Sequence, residues 1–262
     1  MDDRRWAGVV AAVLLLTTLP LFGQFYDRGW GRGRRAGYGV ADDSVRAEFF
    51  FARLAYSGYS GWGRQRWTTD WPDAEFHFMQ GLRRLSGVDA AEGGRFVRPM
   101  DEELFEYPWL YAVEVGGWSL TDEEAERLRE YLLRGGFLVV DDFHGGYEWA
   151  GFVESMRRVF PDRPIIEMTE EDYSLHVVYD LDQRTQVPGV QYVYSGRTYE
   201  KDGFTPHWRG IYDDDNRLMV AINFNMDLGD AWEHADEPRY PEAMTALAYR
   251  FGVNYVVYAM TH

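Results

Sequence analysis

The chain has 262 residues, of which 46% are hydrophobic, and this length and composition predict one compact domain with a large core. It carries 43 acidic residues against 27 basic ones, so its formal net charge of -16 disfavours binding to nucleic acid and to anionic membrane surfaces. It contains no cysteine, which excludes disulfide bonds, thiolate zinc sites and cysteine nucleophiles.

The first 23 residues have the pattern of a signal peptide or of an N-terminal anchor. Arg4 and Arg5 precede an apolar run at residues 6–16, which is short for a membrane span of about 20 residues. Residues 21–23 offer a cleavage site before Gln24. We therefore expect an exported protein, either periplasmic or tethered to the inner membrane by this segment alone.

Residues 24–44 are rich in glycine and arginine, and the part from 27 to 39 has no apolar periodicity. This composition predicts a flexible linker, with an arginine–glycine nucleic-acid segment as the alternative interpretation. The acidic charge of the following residues favours the linker. Residues 45–262 are predicted to form the globular domain.

The globular part alternates strand patterns with helix patterns, which predicts a three-layer α/β fold with a mainly parallel sheet. The clearest helix begins at Thr121, which forms a capping box with Glu124. Residues 169–210 are predicted to be turns with a hairpin or a lid, and 231–238 a solvated acidic loop. The predicted strands are 47–56, 109–115, 137–140, 164–168 and 217–225, and the predicted helices are 73–85, 121–134, 149–160 and one from 241 onward.

Polar groups, tryptophans and glycines follow the carboxyl ends of these strands, as in DDFHGG at 141–146 and NFNMDLGD at 223–230. Ligands of parallel sheets bind at this edge, so the sequence predicts a site there. Arg53 interrupts an apolar strand and needs a carboxylate partner, for which we expect Asp141. The candidate catalytic residues are Asp141, Asp142 and His144, and the candidate ligand-binding residues are Arg53, Tyr56, Trp62, Trp118, Asn225, Asp227 and His234.

Each of these residues also has a simple structural interpretation. Asp142 could cap the following helix, and His144 could bond only to backbone. Glycine-rich turns end many strands. The prediction of a site therefore depends on the convergence of several segments and not on any one residue.

The chain resembles a bacterial family known as domain of unknown function 4159, which is similar to class I glutamine amidotransferases. The matching segments are EFFFARLAY at 48–56, WTTDWPDAEF at 67–76, the run from 104 to 143 that includes LTDEEAERLREYLLRGGFLVV, and NFNMDLGDAWEHADEPRYP at 223–241. The resemblance implies a flavodoxin-like sandwich with partners among envelope proteins. Amidotransferases use a cysteine at the turn where this chain has Asp141 and Asp142, so glutaminase activity is excluded.

Three functions remain open at the level of sequence. The first is a non-catalytic binding or scaffolding domain of the periplasm or cell envelope. The second is a hydrolase that uses carboxylates or a divalent metal, in which Asp227, Glu233 or His234 joins Asp142 and His144. The third is a sensor of sugars or small molecules that uses the tryptophans, although Trp67 and Trp71 are expected to be packing residues. The sequence assigns no cofactor and leaves metal binding undecided.

Overall fold

The computed structural model describes residues 46–58 and 65–262. The predictions for the N-terminal segment, for the linker and for Trp62 concern residues outside this part of the chain. Among the described residues, no helix combines the length and the apolar character that a membrane crossing requires.

The described chain alternates strands and helices, as the sequence predicts. The strands are β1 (Phe49–Leu54), β2 (Ala90–Val97), β3 (Trp109–Val113), β4 (Phe137–Asp141), β5 (Ile166–Glu167), β6 (His207–Tyr212) and β7 (Leu218–Phe224). The helices are α1 (Asp73–Ser86), α2 (Asp122–Leu133), α3 (Gly145–Val159), α4 (Tyr192–Ser195), α5 (Leu228–Glu233) and α6 (Glu242–Thr261).

The seven strands form one sheet in the order β2-β1-β3-β4-β7-β6-β5. The five strands from β2 to β7 run parallel, whereas β6 is antiparallel to both β7 and β5. The predicted α/β fold with a mainly parallel sheet is confirmed. The parallel arrangement brings the carboxyl ends of β1, β3, β4 and β7 to a single edge, which we call the carboxyl edge.

Side chains alternate between two cores on the two faces of the sheet. In β4, Phe137 and Val139 face one core, and Leu138 and Val140 face the other. The first core also contains residues of α1, α5 and α6, and the second contains residues of α2 and α3. Two helical layers therefore cover the sheet, and the same alternation turns Asp141 toward the layer of α1, α5 and α6.

Three local predictions need correction. Residues 90–97 form β2, which the sequence does not predict, because Gly93 and Gly94 interrupt its apolar pattern. The second predicted strand ends at Val113, two residues early, where the backbone turns into the left-handed conformation at Glu114. The expected acidic loop at 231–238 begins with the last residues of α5, and Trp232 of this helix is completely buried.

Candidate functional site

The segments that follow β4 and β7 are adjacent at the carboxyl edge. The backbone N–H of Asp142 donates to the carbonyl of Met226 at 3.1 Å, and that of Asn225 donates to the carbonyl of Phe143 at 3.1 Å. The backbone N–H of Leu228 donates to the Asp141 carboxylate at 2.6 Å. Groups more than 80 residues apart in sequence therefore meet at one place.

The three central strands β3, β4 and β7 end in the same unusual way. Glu114, Asp142 and Asn225 all have left-handed backbones, with φ of 53°, 51° and 62°. Residues with a Cβ rarely adopt this conformation, and such strain concentrates at functional sites. The left-handed turns redirect three polar side chains at neighbouring strand ends, which is what a built site at this edge requires.

Asp141 is a fully buried carboxylate that joins three elements. Its Oδ2 accepts hydrogen bonds from the Tyr111 hydroxyl at 2.9 Å, from Leu228 N at 2.6 Å and from Gly229 N at 3.2 Å. Burial raises its pKa to about 7, although these hydrogen bonds favour the ionised form. Asp141 therefore fixes the start of α5 against β3 and β4, which is a positioning role.

Asp142 and His144 form a close pair beside it. His144 Nε2 lies 3.3 Å from Asp142 Oδ1, and the imidazole is 2% exposed. Burial lowers the pKa of His144 to about 4, so the ring is neutral at pH 7. Burial, followed by the charge of Glu114, raises the pKa of Asp142 well above its usual value. The pair is therefore a carboxyl group held next to a neutral imidazole.

The densest group of carboxylates is at the start of α5. Ligand atoms of Asp70, Asp227 and Asp230 lie within 4.8 Å of one another, and those of Asp230, Glu233 and His234 also meet this limit. We call these five residues the carboxylate cluster. Asp227 caps α5 by accepting the N–H of Asp230 at 2.8 Å, and Asp230 Oδ2 accepts Val190 N at 2.6 Å. Capping therefore occupies one oxygen each of Asp227 and Asp230.

The electrostatics of the cluster separate its members. Burial, followed by the charge of Asp230, raises the pKa of Asp70 well above its usual value. Burial, followed by the charge of Asp142, does the same to Asp227. Burial opposes ionisation of Asp230 as well, but its hydrogen bond with His234 gives a net lowering of the pKa. Like charges are thus crowded in a region poor in water.

Arg53 positions the loop that carries Asp70. Its buried guanidinium forms an ion pair with Glu75 and donates to the carbonyl groups of Trp67, at 3.0 Å, and Thr69. The predicted pairing of Arg53 with Asp141 is therefore wrong. Glu75 lies in the first turn of α1, directly over the strand, and this packing could not be read from the sequence.

The other predicted residues divide between the core and the edge. Trp118 is 5% exposed and stacks on Phe152, and the buried Tyr56 donates to the carbonyl of Val113 at 2.7 Å, so both belong to the core. Asn225 lies at the edge, where its amide accepts Gly145 N and donates to the carbonyl of Thr205. His234 lies 3.5 Å from Asp230 Oδ1.

Sequence reasoning did not select Asp70 and Asp230 as site residues. Asp230 lies three residues after Asp227, which is a spacing that places both on one face of a helix, so this signal was present. Asp70 lies in a loop before α1 that the sequence could not orient. Its left-handed backbone, with φ of 62°, is visible only in the structure.

A separate cavity of about 280 Å³ lies on the other side of the DDFHGG turn, and we call it the aromatic pocket. It is placed between the start of α3 and strands β6 and β7. The residues that line it are Gly145, Gly146, Trp149, Asp202, Phe204, Thr205, His207, Arg209, Phe224 and Asn225.

The fold and the carboxyl edge define a three-layer α/β domain with a polar, carboxylate-rich site at its strand ends. The chain belongs to the family described as Domain of unknown function (DUF4159), whose profile matches residues 50–260. A comparison with curated proteins found no match. The family identity expected from the sequence is confirmed, and the likeness to class I glutamine amidotransferases stays a prediction.

Proposed function

We propose that the chain is a binding domain of the bacterial cell envelope whose carboxyl edge binds a divalent cation, and that it has no glutaminase activity. One observation carries the proposal, namely the approach of carboxylate oxygens of Asp70, Asp227 and Asp230 to within 4.8 Å of one another. The three residues come from two segments more than 150 residues apart in the chain. Capping of α5 explains Asp227 and in part Asp230, but not Asp70.

Asp70 supplies the second observation. Its Oδ2 atom is shielded from solvent and has no hydrogen-bond partner among the described residues. An added Cβ at Gly229 would lie 2.5 Å from this oxygen, so the glycine allows the carboxylate to approach the start of α5. A shielded carboxylate oxygen without a donor is costly unless a proton or a cation satisfies it.

The ligand atoms of this group favour a hard cation. Three carboxylates offer only oxygen, which suits Ca²⁺, Mg²⁺ and Mn²⁺. Two oxygens bound to one Ca²⁺ at about 2.3–2.6 Å can be up to roughly 5 Å apart, which matches the separations in the cluster. His234, which lies close to Asp230, would add a nitrogen ligand better suited to Mn²⁺ or Zn²⁺.

Calorimetric titration of metal-free protein with CaCl₂, MgCl₂, MnCl₂ and ZnCl₂ tests the proposal. We expect at least one cation to bind, and Asp70→Asn to weaken its binding at least about tenfold, because one charged ligand is lost. This variant should fold, since the shielded oxygen has no partner to lose. Asp182→Asn is the matched control, because it makes the same charge change at an exposed position.

Two outcomes would contradict cation binding. One is the absence of binding heat with all four cations. The other is a cation affinity for Asp70→Asn that equals the affinity of Asp182→Asn, because bound metal would then lie outside the cluster.

A second candidate function is a carboxylate-dependent hydrolase, and the geometry of Asp142 favours it. Asp142 stands on a sharp turn between β4 and α3, with its carboxyl group 3.3 Å from His144. His144 Nδ1 is shielded and has no partner among the described residues. Such a pair can exchange a proton with a substrate. Turnover of chromogenic esters, glycosides or phosphate monoesters that is lost in Asp142→Asn would support it, and no turnover of any of them would oppose it.

The assignment to the envelope is supported by the first 23 residues, in which a pair of arginines precedes a short apolar run. Envelope proteins are accordingly the partners we propose. The net charge of -16 supports the further proposal that nucleic acid is not a ligand.

A further inference from the structure

We infer that the aromatic pocket is a binding site for a neutral saccharide. The inference concerns a different cavity from the proposed cation site and does not depend on it. It is based on the volume of the pocket, on the aromatic groups in its wall and on the charges around it.

The volume of about 280 Å³ is near the lower end of the range for small-molecule sites, which begins at roughly 300 Å³. One or two sugar rings match this size. The pocket opens at the carboxyl edge, beside the start of α3, so a longer chain could continue across the surface from it.

The wall presents aromatic surface to a ligand. Trp149 and Phe224 pack together with a centroid separation of 4.8 Å, and Phe204 packs on Tyr199 at 4.7 Å. Phe204 is 64% exposed, and nearby Tyr147 in the first turn of α3 is 89% exposed. Large aromatic side chains kept in water at the mouth of a cavity are typical of ligand sites, since the C–H faces of a sugar ring can cover them.

The position that a cationic ligand would take is already filled. The guanidinium carbon of Arg209 lies 4.1 Å from the centroid of the Trp149 ring and 5.3 Å from that of Phe224. Its Nε donates to Glu167 Oε2 at 2.8 Å, so its charge is paired. Aromatic faces that already hold an internal cation leave little attraction for a second one.

Anionic ligands are disfavoured by the carboxylates of the pocket. Asp202 is exposed in the wall, where its Oδ2 accepts Gly146 N at 3.1 Å and thereby occupies the start of α3. Glu148 lies in the same helical turn. A phosphate or carboxylate ligand would have to displace Asp202 and approach Glu148, whereas a hydroxyl group can donate to the Asp202 carboxylate. The remaining class is a neutral ligand with hydroxyl groups and apolar ring faces.

Calorimetry of the full chain with cellotetraose, chitotetraose and maltotetraose tests this inference, and AMP and choline serve as anionic and cationic comparisons. We expect at least one oligosaccharide to bind, and Trp149→Ala and Phe204→Ala each to weaken its binding about fivefold or more, as the loss of one aromatic contact predicts. Tyr173→Ala, which removes an exposed aromatic side chain that does not line the pocket, should change the affinity less than about twofold.

Phe204→Ala decides the question if Trp149→Ala does not fold, because Phe204 is exposed and contributes little to the core. Failure of all three oligosaccharides to bind would overturn the inference, as would binding that Phe204→Ala leaves unchanged. Binding of AMP or choline that is lost in Phe204→Ala would overturn the choice of a neutral ligand. Each titration is repeated with Asp70→Asn, in which saccharide binding should persist even if cation binding is lost.

Discussion

At the scale of single residues, the site is distinguished by ionisable groups that the fold buries before it pairs them. His144 shows this best, because its imidazole is 2% exposed, with Asp142 at 3.3 Å and Glu148 bound to its own backbone N–H at 2.7 Å. Burial, followed by the positive charge of Lys201, lowers its pKa to about 4. The nearby negative charges of Glu148 and Asp230 do not reverse this effect.

A pH dependence of stability follows from His144. In the unfolded chain a histidine binds its proton below a pKa of about 6.5, whereas the folded protein resists protonation down to a pKa of about 4. The unfolded state therefore binds more protons in this window, and stability falls as the pH drops through it. We expect His144 to cost about 2 kcal/mol of unfolding free energy between pH 7 and pH 5.

Urea unfolding of the wild type and of His144→Asn at pH 7 and pH 5 measures this contribution. The variant should lose about 2 kcal/mol less than the wild type over the same interval. His176→Asn is the control of opposite sign, because the Glu170 carbonyl, followed by Asp180, raises the pKa of His176. If His144→Asn keeps the full pH dependence of the wild type, the imidazole is not held neutral by the fold.

At the scale of elements, the site depends on how closely α3 approaches the turn after β3. A Cβ added at Gly151 would lie 2.5 Å from the carbonyl oxygen of Gly116, and one added at Gly116 would lie 2.3 Å from Cβ of Glu148. The two glycines thus let the helix lie directly against the backbone of the turn. This contact places the start of α3, and with it His144, beside the ends of β3 and β4.

Gly151→Ala should disturb this contact. Because the obstacle is backbone, the helix has to move, and we expect a loss of about 1–3 kcal/mol in the free energy of unfolding. Gly146→Ala in the same helix is the matched control, since its added Cβ would meet only ordinary contacts, at 3.5 Å from Asp202. Urea denaturation of both variants makes the comparison. Equal stability of the two would show that the helix tolerates a wider separation.

The elements themselves were partly predictable. Those with a continuous apolar run or a long amphipathic period, such as β4 and α2, have the expected positions, and the capping box of Thr121 and Glu124 is present. The short helix α5 was missed, because six residues are too few to show a period and its acidic composition resembles a loop. Its buried Trp232 packs on Phe78 of α1 at 4.5 Å, which is a contact between distant segments.

At the scale of the whole molecule, the acidic charge and the N-terminal pattern are the features that connect the domain to its surroundings. We expect the full chain, expressed in a bacterium with a C-terminal tag, to be recovered from the periplasm or the inner membrane. Cleavage would leave a mature chain that begins near Gln24, which N-terminal sequencing would detect.

Leu15→Arg should retain the protein in the cytoplasm, because a charge in the middle of the apolar run opposes membrane insertion. Asp2→Asn lies outside the run and should not change the location. Cytoplasmic recovery of the unchanged chain would contradict export, and it would remove the support for envelope partners without affecting either binding site.

The sequence by itself determined the family, the α/β class and the edge of the sheet at which polar groups gather. These properties follow from local patterns, since the period of apolar residues fixes each element and parallel strands bring their carboxyl ends together. Only the tertiary structure decided which of those groups meet. Arg53 turned out to pair with Glu75, Asp70 joined Asp227 and Asp230, and Trp118 entered the core while Trp149 lined a pocket. Such choices depend on helix packing and backbone turns between segments far apart in the chain, and a local sequence pattern carries no information about them.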